Sequence, residues 1–298
     1  MYKYLVLIFC LMILISCNQN TSGIRFENDY IVVSGMLYGG EYITQENPIF
    51  IGKTIDISNG NLLDFYYSDA EVKIIEDSTG KSINLEFFIQ NQGNKVLIGY
   101  YDPTESFLID FGKTYNLIAY VNDDSVWAST KIPDDFSILP NEGFTYNPEA
   151  DFPQMIYDDI DNQYPVQISV KEGIETVLYE EYYCLESWYN AYYIQDMFEE
   201  KPETESDYED SMTGYPRKAI SYGRYLPKIV DNEFLIKIPF VKSGFTFYGK
   251  HQVTLSLIDN NYFYYLYKTQ GYFQGGVNNG IGYFGSASRK KLYTNIIE

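Results

Sequence analysis

From Ile24 onward, apolar residues recur at every second position in short runs, and each run is closed by turn-forming residues. Period two puts successive side chains on opposite faces of a strand, so such runs fold as half-buried β-strands. Thr114 to Val121 shows the pattern: Tyr115, Leu117, Ala119 and Val121 alternate with Thr114, Asn116, Ile118 and Tyr120. Asn122-Asp123-Asp124-Ser125 then turns the chain, and Val126 to Ile132 returns before Pro133. Runs of the same kind cover Tyr30 to Leu37, Ile49 to Ile57, Ala70 to Glu76, Ile83 to Ile89 and Lys95 to Tyr101. Gly39-Gly40, Asn59-Gly60-Asn61, Asp77-Ser78-Thr79-Gly80 and Asp102-Pro103 divide them. Seven strands in about a hundred residues is the count of an immunoglobulin-like, transthyretin/fibronectin-like β-sandwich. Residues 24–140 are read as that N-terminal β-sandwich domain.

Asp134 to Pro153 is rich in Pro, Asn and Gly and reads as a linker. Residues 141–298 are then a C-terminal β-rich domain with one or two short helices. Strands are expected at Val166 to Val170, Glu175 to Tyr183 and Phe234 to Phe240. Gln252 to Ile258 is expected to pair with the Phe234 strand. Asp259 can cap a helix from Asn260 to Gln270, with Phe263, Leu266 and Tyr267 on one face. Leu185 to Phe198 fits strand or helix, and the acidic stretch Glu199 to Asp210 reads as an exposed, mobile insertion.

The N-terminal segment has another character. Lys3 precedes the uncharged run Leu5 to Ile15, whose eleven residues make about 16 Å of helix, half of a ~30 Å hydrocarbon core. That is the length of a signal-peptide core and short for a membrane span. Leu14-Ile15-Ser16-Cys17 replaces the usual small-residue cleavage pattern and resembles a lipobox, in which the cysteine is acylated. The competing reading is ordinary cleavage beside an incidental cysteine. Residues 1–16 are thus expected to be a lipoprotein signal peptide, Cys17 the lipidation site and 17–23 a lipidated tether.

Removal of 16 of the 298 residues leaves 282, and loss of Lys3 takes the formal charge from −20 to −21. So acidic a chain lacks the basic footprint that nucleic acid requires. Cations, sugars and a basic protein partner stay open. Of three cysteines, Cys10 belongs to the signal segment and Cys17 to the lipid, which leaves Cys184 without an intrachain partner. Its neighbours Tyr182, Tyr183, Leu185 and Trp188 mark it as a small buried hydrophobe.

Chemistry-bearing patterns are sparse. The glycines of Gly275-Gly276-Val277-Asn278-Asn279-Gly280-Ile281-Gly282 lack the Gly-Lys-Ser/Thr of a phosphate loop and are read as structural. His251 is the only histidine, so a multi-histidine zinc site is excluded, and a surface or strand position is expected for it. Asp158-Asp159-Ile160-Asp161-Asn162 carries oxygen ligands, but an EF-hand loop from Asp159 would meet Tyr164 and Val170 where it needs Gly and Glu. A solvated acidic turn is expected there. No metal, cofactor or catalytic residue is assigned. The densest aromatic cluster is Tyr182, Tyr183, Trp188, Tyr189, Tyr192 and Tyr193, flanked by Glu180, Glu181, Glu186 and Asn190. Trp188, Tyr189, Tyr192 and Tyr193 are the candidate ligand-binding residues, since flat semi-polar rings suit sugars and protein partners.

Several pieces together resemble a family. They are Ile31-Val32-Val33-Ser34-Gly35, Ala70-Glu71-Val72-Lys73-Ile74, Gly112-Lys113-Thr114-Tyr115-Asn116-Leu117 and Lys131-Ile132-Pro133. Later come Phe234 to Phe240, Tyr262 to Tyr265 and the glycine-rich stretch Gly275 to Gly285. In this order they resemble the Bacteroidota outer-membrane lipoproteins of unknown function (DUF 4249 type), with Asp151 to Leu226 departing from the pattern. The resemblance implies an outer-membrane lipoprotein, anchored in the membrane by its N-terminal lipid, beside a TonB-dependent uptake receptor. On this reading the chain is a non-enzymatic binding or accessory protein; the alternative is a glycan-binding or glycan-cleaving lipoprotein. Asn18-Gln19-Asn20 lacks the acidic residues associated with surface export, which favours the periplasmic face.

Overall fold

The structure is a computed structural model that describes residues 30–54, 65–92, 95–160, 166–187, 192, 194, 218–239, 242–268 and 274–298. The protein is mainly β: three sheets, 57% strand, one short helix and no closed barrel among the described residues. The first half holds β1 (Ile31–Tyr38), β2 (Phe50–Lys53), β3 (Glu71–Glu76), β4 (Ser82–Gln92), β5 (Lys95–Tyr101), β6 (Thr114–Val121) and β7 (Asp124–Lys131). Then come β8 (Ser137–Ile138), β9 (Gln154–Ile156), β10 (Val166–Val170), β11 (Thr176–Cys184), β12 (Lys218–Tyr225), β13 (Lys228–Val230) and β14 (Glu233–Ile238). The chain closes with β15 (Gly249–Ile258), helix α1 (Asn260–Tyr267), β16 (Gln274–Gly275), β17 (Val277–Asn278) and β18 (Ile281–Ile297).

The eight-stranded sheet runs β12-β11-β15-β18-β1-β2, with β9 and β16 also on β18. A six-stranded sheet runs β17-β7-β6-β3-β4-β5, and a four-stranded one runs β13-β14-β10-β8. Both smaller sheets cover the same face of the large one. Phe284, Leu292 and Ile296 share the even positions of β18 and therefore one face. Phe284 packs with Val33, Leu37, Leu117 and Val126 in the first core, whereas Leu292 and Ile296 pack with Ile168, Ile236 and Ile238 in the second. On the opposite face α1 lies over a small cluster of Val177, Ile258, Phe263 and Ala287, and Phe152 packs on Tyr293 with 5.3 Å between ring centroids.

β18 reaches both cores because each of its edges is paired. β1 lies parallel to it from Val32↔Ile281 to Tyr38↔Ala287, and β15 is antiparallel from Ile258↔Ala287 to Gly249↔Ile296. The parallel ladder needs glycine at one point. Gly282 has φ +105°, and a Cβ there would stand 1.9 Å from the Val33 carbonyl oxygen. The closing glycines thus allow close backbone approach, and Val277 and Phe284 carry the packing.

Asp259 ties the helix to two sheets. Its carboxylate accepts hydrogen bonds from Tyr262 N (3.1 Å), Ser286 N (3.1 Å) and the Thr130 hydroxyl (2.8 Å). The first is the helix cap, the second reaches β18 and the third reaches β7. Burial raises the Asp259 pKa, against the pull of these donors.

Several sequence expectations need correction. β15 does not pair with β14: it lies between β11 and β18, while β14 pairs with β10 and β13. The two meet face to face across the second core, where Val253 and Leu255 lie with Ile236 and Ile238. Alternation reports the buried face of a strand and not its edge partner. The 134–153 segment is more than a linker, since Phe136 and Phe144 are buried in the second core and Ser137–Ile138 forms β8. The helix is Asn260–Tyr267, and Leu266 is exposed; Phe263 makes the buried contact. The expected insertion 199–210 lies outside the described residues. Among the described residues no helix is long and apolar enough to cross a membrane.

Gly282→Ala is expected to destabilise the fold by about 3 kcal/mol or more, because the clash is with backbone and the φ is left-handed. Gly80→Ala is the control, with φ +72° but nothing within 4 Å; it should cost only about 1 kcal/mol. Urea midpoints of the two variants measure the difference.

Candidate functional site

The face of the large sheet opposite the two smaller sheets carries a groove of about 670 Å³ beside β18. Ser34, Met36 and Tyr38 of β1 line it, as do Tyr283, Arg289 and Lys291 at odd positions of β18. The β1–β2 connection forms the far wall with Glu41, Tyr42, Thr44, Glu46, Asn47 and Pro48, and Phe50 closes one side. Local hydrogen bonds hold this wall in shape. Gly39 N donates to Ala287 O (2.9 Å), Gly40 N to Ile109 O (2.7 Å) and Ile109 N to Glu41 O (3.0 Å). Thr44 N and its hydroxyl both donate to Asn47 Oδ1 at 2.7 Å, and Asn47 Nδ2 donates to Tyr42 O at 3.1 Å.

Arg289 is the electrostatic centre. Its Nε donates to Glu41 Oε1 at 2.6 Å and its terminal nitrogen to Glu41 Oε2, a bidentate pair. The same guanidinium lies 3.7 Å from the Tyr38 ring centroid. Burial works against the charge on Arg289, but the hydrogen bonds and charge of Glu41 outweigh it and raise the pKa. Burial also raises the Tyr38 phenol, with Arg289 opposing. Across the sheet, Glu181 pairs with Lys218 at 2.6 Å.

Tyrosines continue the surface from the groove toward α1. Tyr283 lies 4.7 Å from Tyr265 and 5.1 Å from Tyr262, measured between ring centroids. Farther along, Tyr222 stacks on Tyr267 at 3.7 Å. The helix can sit this close because Gly285 has no side chain; a Cβ there would stand 2.7 Å from Tyr262 Cβ. An aromatic surface whose central charges, Arg289 and Glu41, are already paired is suited to holding a ligand. A proton-transfer site needs a group poised to change its charge.

Of the sequence-predicted ligand-binding residues, only Tyr192 is among the described residues, and it does not line this groove. Tyr192 is 80% exposed and Tyr182 is fully buried, so the aromatic cluster divides between surface and core. Trp188, Tyr189, Tyr193 and Cys17 lie outside the described residues. Cys184 is buried, as its neighbours imply. Asp158 pairs with Lys242 at 2.7 Å, and its side chain is otherwise exposed. Among the described residues no group of three or more His, Cys, Asp or Glu is placed to hold a metal.

A second, smaller cavity of about 390 Å³ lies where the three sheets meet, around Thr130, Asp134, Lys171 and Asp259. Of its charged groups, these are engaged within the fold: Lys171 pairs with Asp134 at 3.0 Å, and Asp259 caps the helix.

His251 is a strand residue, but it is buried instead of at the surface. It faces Cys184 on β11 and Thr294 on β18, with Phe245 edge-on at 5.1 Å. Nδ1 lies 3.0 Å from Gly249 O, so it carries the proton, and buried Nε2 has no hydrogen-bond partner among the described residues. Burial lowers the pKa to about 4. A neutral histidine with its lone pair in a core is structural.

The groove residues Tyr38, Glu41, Tyr42, Tyr283, Arg289 and Lys291 were not singled out from the sequence. One signal was there: Arg289-Lys290-Lys291 is the only run of three cations in an acidic chain. Glu41 is 248 positions from Arg289, and nothing local joins them. No protein-family model matches this chain, and no curated protein matches it.

His251 gives a signed pH dependence. Above about pH 6.5 the histidine is neutral in both folded and unfolded chains, and its share of stability is complete. Between about 6.5 and about 4 the unfolded chain takes up a proton that the folded one refuses, so stability falls with pH. The loss should approach ~3 kcal/mol. His251→Leu should remove that part of the slope. The check is the difference in urea stability between the two proteins from pH 4 to pH 8.

Proposed function

We propose that this chain is a lipid-anchored, non-enzymatic binding protein of the bacterial cell envelope, with the groove beside β18 as its binding surface. The pairing of the groove's central charges carries the reading: Arg289 is committed to Glu41 and Tyr38, which fixes a recognition surface and leaves no poised acid or base at its centre. Cys17, in Leu14-Ile15-Ser16-Cys17, is the anchor. The six residues Asn18 to Gly23 reach about 20 Å when extended, which keeps the folded part near the bilayer. Residues 24–140 act as an immunoglobulin-like (transthyretin/fibronectin-like) unit and 141–298 as the second β-rich domain. A core of Val33, Leu37, Leu117 and Val126 supports the first assignment, with Val277 and Phe284 from the second part of the chain completing it.

The resemblance to DUF 4249-type outer-membrane lipoproteins supports the setting: the periplasmic face of the outer membrane, beside a TonB-dependent uptake receptor. Large, flat tyrosine surface on a rigid sheet supports a protein or glycan partner. The test has two arms. Wild-type protein is expected in the outer-membrane fraction and to incorporate labelled palmitate; Cys17→Ala should do neither. Detergent-solubilised lipidated protein, captured from its native envelope, should bring down a TonB-dependent receptor. Capture that returns no membrane protein would refute the accessory role.

A further inference from the structure

We infer that the groove beside β18 takes a neutral, polyhydroxylated ligand, a glycan chain; this rests on the reading of that groove as the binding surface. Charge is the first ground. Arg289 and Lys291 face Glu41 and Glu46, so the ionised lining sums to zero on a chain of −20. An anionic ligand would call for surplus cation and a cationic ligand for surplus carboxylate. The groove has neither.

Hydrogen-bonding capacity is the second ground. Each sugar hydroxyl both donates and accepts, so vicinal hydroxyls need donors and acceptors side by side. Arg289 gives two N–H groups to Glu41 and keeps the rest of its five-donor fork. Glu41 retains unused lone pairs, and Glu46 adds an acceptor carboxylate on the same wall. Among the described residues, Lys291 has no ion-pair partner, and the hydroxyls of Tyr38, Tyr42 and Tyr283 have no hydrogen-bond partner. All four line the groove and can bind a polar ligand without breaking a bond of the fold.

Shape is the third ground. The C–H faces of a pyranose pack on aromatic rings, and Tyr42, Phe50 and Tyr283 supply rings around the groove. Its wall is already fixed by the bonds of Gly39, Gly40, Thr44 and Asn47, so little ordering cost falls on binding. A peptide strand cannot add to β1, which is paired with β18 on one side and β2 on the other.

The test uses the full-length lipidated protein in detergent. Malto-, cello-, xylo- and manno-oligosaccharides of equal length are titrated calorimetrically against acidic oligogalacturonate and heparin fragments. The expected result is binding of at least one neutral series, weakened roughly tenfold or more in both Tyr42→Ala and Lys291→Ala. Circular dichroism and Tm should be unchanged; Lys291 is exposed, so its variant keeps the test valid if Tyr42→Ala folds poorly. Preference for the acidic series, or neutral binding that neither variant weakens, overturns the inference. So does the absence of any oligosaccharide binding. The same variants in the receptor capture separate the two levels. Lost capture without sugar binding overturns the glycan inference and leaves the groove as a binding surface. Unchanged capture without sugar binding overturns both.

Discussion

The architecture depends on β18 being paired along both edges. Its 17 residues extend about 55 Å, long enough to run under two separate cores. One edge takes β1 and then β9, both parallel; the other takes β16 and then β15. The first described strand therefore closes against the last. Phe284 and Val277, from the end of the chain, belong to the same core as Val33 and Leu117. Contacts of such long sequence separation form late and slowly, so the first core is complete only when the C-terminal strand is in place. Gly282 permits this contact, because no other residue lets the backbone of β18 come so near the Val33 carbonyl.

The groove follows from that geometry. With both smaller sheets on the even side of β18, its odd side carries α1 and the groove. Arg289 and Lys291 emerge beyond the last residue of β1, where the chain leaves the sheet and turns back as the Glu41 wall. An ion pair spanning 248 positions can then form between a strand and a loop that touch only because β1 and β18 are neighbours. Such a pair, partly shielded and stacked on Tyr38, contributes less to stability than to a fixed shape. The Asp259 carboxylate acts similarly at the other end of the face, holding α1 against both β7 and β18.

Local pattern carried most of the elements. The hairpins of β3–β4 and β6–β7 stand where alternation and turn residues place them, and Asn122 has the positive φ (53°) that its turn requires. Asp259 is the cap that its position implies. Local pattern does not reach the choice of partners. The alternation of Gln252 to Ile258 suits the Phe234 strand as well as its actual neighbours β11 and β18, and the spacing that groups Leu266 with Phe263 does not show that the helix rests mainly on Phe263. Composition made the tyrosines conspicuous without saying which are surface. Tyr182 and Tyr192, ten positions apart, ended at 0% and 80% exposure.

By itself, the sequence determined that this chain is built from short strands and one capped helix, that it holds a single histidine and three cysteines, and that its formal charge is −20. These depend on periodicity, on counts and on net charge, all of which are local or additive. Only the tertiary structure decided that one strand serves two cores, that His251 is buried, and that Arg289 meets Glu41 over the Tyr38 ring. Those facts concern which edges pair and which faces meet. Period-two alternation is the same for every partner a strand could choose, so that choice is settled by packing.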